Sequence, residues 1–290
     1  MLTSFALGAL ALLIGAALAL AVGAWRWQRD TAALRERLLA DAEPRPVSRF
    51  DARELDGLPE PVARWFRQAM HDGQPIVAAV RVRHEGTFDM GRDRPDWKPF
   101  SSDQFVVTRR RGFDWDARIR LAPGLAVHVR DAYISGRGVL HASIAGLASV
   151  MRLEGAGAIA EGELMRFMAE ATWYPTALLP SQGVRWEAID THHARATLVD
   201  GPVTLSLTYG FGDDGFVDTV RAEARGRAID GRIVPTPWLG RFRDWQPRNG
   251  LVIPLEGEVA WALPAGERPY WRGRIVAIEH DFADSDGAAR

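Results

Sequence analysis

Glu163, Arg166 and Glu170 lie three and four residues apart, so a helix through them stacks two carboxylates and a guanidinium on one face. On a solvated face this is an i, i+4 ion pair worth about 0.3–0.5 kcal/mol. Beside a cleft the same Glu170 is a candidate general acid or base, with Asp131 as the other candidate. The opposite face carries Leu164, Phe167, Met168 and Ala171, and the segment runs on through Trp173, Tyr174 and Pro175 into Ala177, Leu178, Leu179 and Pro180. That is a very apolar exit for a loop. The candidate ligand-binding set is therefore Leu164, Arg166, Phe167, Met168, Glu170 and Trp173, joined by Trp115, Tyr133 and Trp186 from predicted strands. Phe167, Met168 and Trp173 would line an apolar cleft, with Arg166 and Glu170 meeting a polar head group.

Other chemistries find little support. Cysteine is absent, which removes thiolate nucleophiles and Cys-ligated zinc. Lysine occurs once, at Lys98, so any lysine-based mechanism rests on that residue. His192 and His193 are adjacent and point to opposite faces of a strand, while His84, His128 and His141 fall on different predicted strands. No metal and no cofactor are expected. Gly155, Gly157 and Ala160 match a relaxed dinucleotide fingerprint before a helix, but the flanking strands read as hairpins rather than a parallel βαβ unit. There is no phosphate-binding GK[ST] loop, HExxH helix or GxSxG elbow. A net charge of −1 gives no electrostatic case for nucleic acid. Asp114 and Asp116 share a strand face with Arg118 and Arg120, which reads as a salt-bridged solvent surface.

The elements that must position these residues are mostly strands. Phe113, Trp115, Ala117, Ile119 and Leu121 alternate with polar residues, as do Val203, Leu205, Leu207, Tyr209 and Phe211. Asp200-Gly201, Asp214-Gly215, Asp230-Gly231 and Asn249-Gly250 mark tight hairpins. Ten or eleven strands fit between Ile76 and Asp281. Two helices are expected among them: one opened by Pro59 with Val62, Trp65, Phe66, Ala69 and Met70 on one face, and one over Ala160 to Trp173. Two helices cannot cover ten flat strands, so the sheet must curl around them into a half-barrel or barrel. The expected fold is mainly β: a large curved antiparallel sheet around one or two helices, preceded by a transmembrane helix.

From Leu2 to Trp25 no residue is charged. As a helix these 24 positions span roughly 36 Å, enough to cross a hydrocarbon core of about 30 Å. The apolar run exceeds a signal-peptide core and lacks a preceding Lys or Arg, while Ala17, Ala19 and Ala21 keep cleavage open as an alternative. Trp25 and Trp27 are placed at the interface, with Arg26 and Arg29 reaching for head groups. The expected organisation is an anchor at 1–27, a helical extension and linker at 28–57, one curved β domain at 58–282 and a frayed tail at 283–290.

Several segments together resemble an uncharacterised family of bacterial membrane-anchored proteins. They are Leu58–Phe66, Trp97–Phe100 with Gln104, Gly112–Ala117, Arg166–Pro180, Val184–Asp190 and Pro269–Gly273. The resemblance brings no activity with it. The order of elements also resembles the lipoprotein-carrier half-barrels of the LolA and LppX type, which hold acyl chains under a curved sheet. That resemblance implies a lipid or apolar ligand and a periplasmic body, whereas the arginines after the anchor point to the cytoplasm. The reading is a single-pass membrane protein of the bacterial envelope that binds a lipid or other apolar ligand, with the bilayer as partner and no nucleic acid or nucleotide. The alternatives are an envelope hydrolase using Glu170 or Asp131, and an assembly factor that engages a protein through the sheet.

Overall fold

The computed structural model describes residues 2–40, 48–229 and 232–283. The Asp230-Gly231 turn, linker residues 41–47 and the tail from 284 lie outside the described residues. Helix α1 (Leu2–Ala40) runs unbroken for 39 residues, and α2 (Glu60–Ala69) follows with proline in its first turn. Six strands come next: β1 (Val77–Asp89), β2 (Trp97–Val107), β3 (Gly112–Ala122), β4 (Leu125–Ile134), β5 (Arg137–Ile144) and β6 (Ala148–Gly155). Helix α3 (Ala158–Glu170) and three short 3-10 turns between Ala171 and Gln182 interrupt them. The chain then adds β7 (Val184–Ala188), β8 (His193–Asp200), β9 (Val203–Phe211), β10 (Val217–Ile229), β11 (Arg232–Arg248), β12 (Leu251–Leu263) and β13 (Gly266–Phe282).

All 13 strands form one antiparallel sheet in the order β6-β5-β4-β3-β2-β1-β13-β12-β11-β10-β9-β8-β7. Two meanders are joined at the centre by the β1–β13 pair, which leaves β6 and β7 at opposite edges. Helix α3 connects those edges and so must cross the open side of the sheet. Laid flat at about 4.8 Å per strand, the sheet would be about 60 Å wide, three times the ~20 Å length of α3. Curling resolves the mismatch: α3 touches β4, β5 and β6 on one wing and β9 and β10 on the other. Gly86, Gly273 and Gly257 are paired across three central strands, and the Trp271 ring packs over Gly257 and Gly273. Without side chains there, the inner face can close around that ring. The sheet has 13 strands against the expected ten or eleven; turns such as Ser135-Gly136 and Ala145-Gly146 join strands without an Asp-Gly or Asn-Gly signal.

The second half of α1 changes the reading of β3. Gly23, Trp27, Thr31 and Leu38 are buried at helical spacing and face the outer side of the sheet. Arg35 Nε donates to Asp114 Oδ2 at 2.9 Å, and Trp27 Nε1 donates to Asp116 Oδ1 at 2.8 Å. Asp114 is fully buried. The expected solvent face of β3 is thus the docking face of α1, and its charges are matched across that contact. Trp27 is likewise not at a lipid interface: it is buried beside His128 and His141, with the Arg130 guanidinium 4.4 Å from its ring. Trp25 stays exposed, with Arg29 5.3 Å from its ring.

Candidate functional site

A cleft of about 680 Å³ lies between α3 and the inner face of the sheet. Its walls combine aliphatic residues of β3 to β6, such as Ile119, Val129, Leu140 and Ile144, with aromatic residues Trp115, Trp173, Trp238, Trp261, Tyr270 and Trp271. Helix α3 faces it with Glu163, Arg166, Ala169 and Glu170, the polar stripe of the helix. Its apolar stripe, Leu164, Phe167 and Met168, is buried in the solid core instead. There Tyr174 and Tyr209 donate to the carbonyls of Phe167 and Met168 at 2.7 Å each.

The polar stripe is tied into a buried network. Arg166 Nη1 meets Asp131 Oδ2 at 2.7 Å and its Nε meets Glu170 Oε1 at 2.7 Å. Gln104 Nε2 donates to Glu170 Oε2 at 2.6 Å. The Arg166 guanidinium also stacks 4.6 Å from the Trp115 ring, which holds it in place without another anion. Arg225 stands 4.0 Å from Glu163 and donates to the Tyr270 hydroxyl at 3.2 Å. Burial pushes the Glu163 carboxyl up to about 8, helped by Asp131, and Arg225 only partly opposes this. Burial also raises Asp131, against the pull of Arg166 and Arg225. Three carboxyls here face two guanidiniums, and the raised Glu163 brings the floor of the cleft nearer to neutral. Asp131 Oδ1, Glu163 Oε2 and Arg225 Nε have no hydrogen-bond partner among the described residues.

Of the nine candidate residues, Trp115, Arg166, Glu170 and Trp173 line this cleft. Leu164, Phe167 and Met168 do not, because the helix turns that face into the core. Tyr133 lies elsewhere, donating to Asp200 Oδ2 at 2.6 Å and so bridging β4 to the end of β8. Trp186 packs with Trp65, Phe66 and Tyr209 under α2 and donates to the Leu178 carbonyl at 2.9 Å. Asp131, the alternative acid, is in the cleft. The wall supplied by β10 to β13 went unread in the sequence. Its signal was the Pro269–Gly273 segment, which contains Tyr270 and Trp271.

A family model described as a family of unknown function (DUF6920) matches residues 56–280. The chain belongs to this family. The match spans all of α2, α3 and β1 to β12, and therefore every residue of the DUF6920 cleft. No curated protein matches the sequence. Among solved structures, the chain is similar to a LolA superfamily protein from Nitrosomonas europaea, with 14% identity, 83% of this chain and 98% of that chain covered, and a TM-score of 0.33. It is also similar to a beta-barrel-like protein of a domain of unknown function (DUF1849) from Brucella abortus, with 10% identity, 71% and 99% covered, and a TM-score of 0.20.

Chemically, this DUF6920 cleft offers a large apolar and aromatic surface, with the polar stripe of α3 on one side and Asp89, Arg227, Arg241, Glu258 and Arg268 on the side of β1 and β10 to β13. No group of three or more His, Asp and Glu suited to a metal ion occurs among the described residues. His84, buried against Trp173 and Trp271, is held neutral by burial, which lowers it to about 3.

Proposed function

We propose that this protein is a membrane-anchored binding protein for a lipid or another apolar ligand of the bacterial envelope. The observation that carries this reading is the cleft of about 680 Å³ on the concave face, apolar over most of its wall and of a size suited to acyl chains. The network of Asp131, Glu163, Glu170, Arg166 and Arg225 supplies a polar contact for a head group. The N-terminal helix, long and apolar enough to span a membrane, keeps the cleft next to a lipid source. We place the body, residues 58–282, on the periplasmic side; alkaline phosphatase fused to the C-terminus would then be active, and an inactive fusion would reverse the side.

Binding is tested on the full chain in detergent with cis-parinaric acid, whose fluorescence rises in an apolar site. Ile144→Trp at the mouth and Leu140→Trp deeper in should each weaken binding, since both residues line the cleft and neither is fully buried. Saturable binding that both substitutions leave unchanged would rule this cleft out.

A second reading rests on the raised Glu163 and Asp131 carboxyls beside the cleft. Perturbed acids facing a cavity suit general acid–base chemistry, as in an ester hydrolase acting on an envelope lipid. Release of fatty acid from an added lipid ester, lost in Asp131→Asn, would select it over simple binding.

A further inference from the structure

The anchoring helix also fixes which way the cleft faces. A Cβ placed on Gly23 would lie 2.5 Å from the Ala145 carbonyl oxygen and 2.7 Å from Leu147 Cγ, so α1 crosses the β5–β6 hairpin at close contact. At the other end of β3, Leu38 packs with Val107 and Ile134. The docked half of α1 thus runs along the outer face of the sheet and leaves it at this hairpin. Beyond Gly23 the helix is free of the body, with every residue from Ser4 to Val22 exposed. From Leu2 to Gly23 it spans about 32 Å, close to the ~30 Å hydrocarbon core. The edge of the bilayer therefore falls at the height of the β5–β6 hairpin, where Trp25 and Arg29 are also exposed.

Two neighbouring hairpin tips occupy that height, joined by the Ala145 N–H donating to the Ala126 carbonyl at 2.8 Å. Neither carries a charge: Leu121 to Val127 and Ala142 to Met151 are uncharged throughout. Leu121, Leu125, Ile144, Leu147, Val150 and Met151 are each between 37% and 57% exposed. A cluster of exposed aliphatic residues beside a membrane helix has a ready cover in lipid. Leu121, Ile144, Val150 and Met151 belong at the same time to the cleft lining. The apolar wall of the cleft is thus continuous with the surface that meets the bilayer.

We propose that the β3–β4 and β5–β6 hairpin tips rest in the lipid interface, so that the cleft opens onto the bilayer and takes its ligand from the adjoining leaflet. The orientation rests on the anchor, and the source of the ligand rests on the reading of the cleft as a lipid site.

The chain has no cysteine, so single labels can be placed cleanly. Leu125→Cys and Leu147→Cys, each carrying an environment-sensitive fluorophore, are compared in the full chain with Asp213→Cys, whose native side chain is fully exposed in the β9–β10 turn. The chain is reconstituted into vesicles of phosphatidylethanolamine and phosphatidylglycerol containing a lipid spin-labelled near the head group. Labels at 125 and 147 should be blue-shifted and quenched by that lipid, and the label at 213 should be neither. Labels at 125 and 147 that match 213 would overturn the proposal, as would blue-shifted labels that the lipid does not quench, since a protein would then cover the tips. Leu125→Glu with Leu147→Glu should slow transfer of cis-parinaric acid from vesicles several-fold while leaving its binding in detergent unchanged. Loss of binding in detergent by the unaltered chain, with quenching intact, would instead sink the cleft reading and leave the orientation standing.

Discussion

The two faces of β2, β3 and β4 each bury a set of charges, and they do so differently. On the outer face Asp103, Asp114, Asp116 and Arg130 are covered by α1, and each charge finds an opposite charge or donor from that helix or its neighbour. Asp114 is flanked by two guanidiniums, Arg35 at 2.9 Å and Arg130 at 3.5 Å, and burial still pushes it up to about 6. On the inner face Glu163 has one guanidinium at 4.0 Å, and burial carries it up to about 8. A face sealed by the chain's own helix can match its charges geometrically. Atoms without a hydrogen-bond partner among the described residues remain on both faces: Asp114 Oδ1 and Arg130 Nε, 3.5 Å apart and sealed under α1, and Asp131 Oδ1, Glu163 Oε2 and Arg225 Nε beside the cleft. Only the atoms beside the cleft are where a ligand head group has something to gain.

The sharpest way to break the contrast is to remove the hub of each face. Arg166→Leu strips Asp131 and Glu170 of their shared cation in a buried site, and stability should fall by about 3–5 kcal/mol in denaturant titration. Adding Asp131→Asn and Glu170→Gln should restore much of that loss, because the cost is that of uncompensated charge. Arg35→Ala on the outer face should cost less, about 1–3 kcal/mol, since Arg130 remains beside Asp114. Equal losses would mean that the two faces are equally well sealed.

The alternation of β3 was plain in the sequence, as were α2, α3 and the hairpin turns at Asp200, Asp214 and Asn249. The cover over the polar side of β3 was not. The stripe that makes it, Gly23, Trp27, Thr31, Arg35 and Leu38, mixes small, aromatic, polar and charged residues and has no hydrophobic signature. A helix that docks through matched hydrogen bonds is silent to a search for apolar periodicity. The same limit misdirected part of the site. Leu164, Phe167 and Met168 stood out as apolar, but a cleft beside a helix can only be lined by the stripe the core does not use. Glu163, Arg166 and Glu170 were visible as a stripe; what faced them from β10 to β13 depended on the far wing of the curled sheet, a long-range consequence no local pattern encodes.

Titration offers a finer test. The folded protein keeps the Glu163 proton up to about pH 8, whereas the unfolded chain gives it up in the ordinary glutamate range. Between those limits the native state holds more protons, so stability falls as pH rises and the full penalty is reached above about 8. Glu163→Gln should therefore be more stable than the unaltered chain at high pH and nearly equal to it below the glutamate range. Thermal melts across pH would show the two curves converging on the acid side. Asp114 should reach its full penalty earlier, near pH 6, so Asp114→Asn and Glu163→Gln separate the two faces by the pH at which each difference levels off.

The smallest expected effects come from two isosteric changes of threonine to valine. The Thr31 hydroxyl is buried in the outer network, accepting from Arg130 and lying 3.1 Å from the Trp27 carbonyl oxygen and 3.3 Å from Asp116 Oδ2. Thr31→Val leaves Arg130 short of an acceptor and should cost about 1 kcal/mol. Thr172, in the turn after α3, is as deeply buried, but its Oγ1 has no hydrogen-bond partner among the described residues. Thr172→Val exchanges an unsatisfied hydroxyl for a methyl of the same shape and should be neutral or slightly stabilising. A loss at Thr172 as large as that at Thr31 would show that its hydroxyl is satisfied in the folded protein, and the pair would no longer separate a bonded buried hydroxyl from an unbonded one.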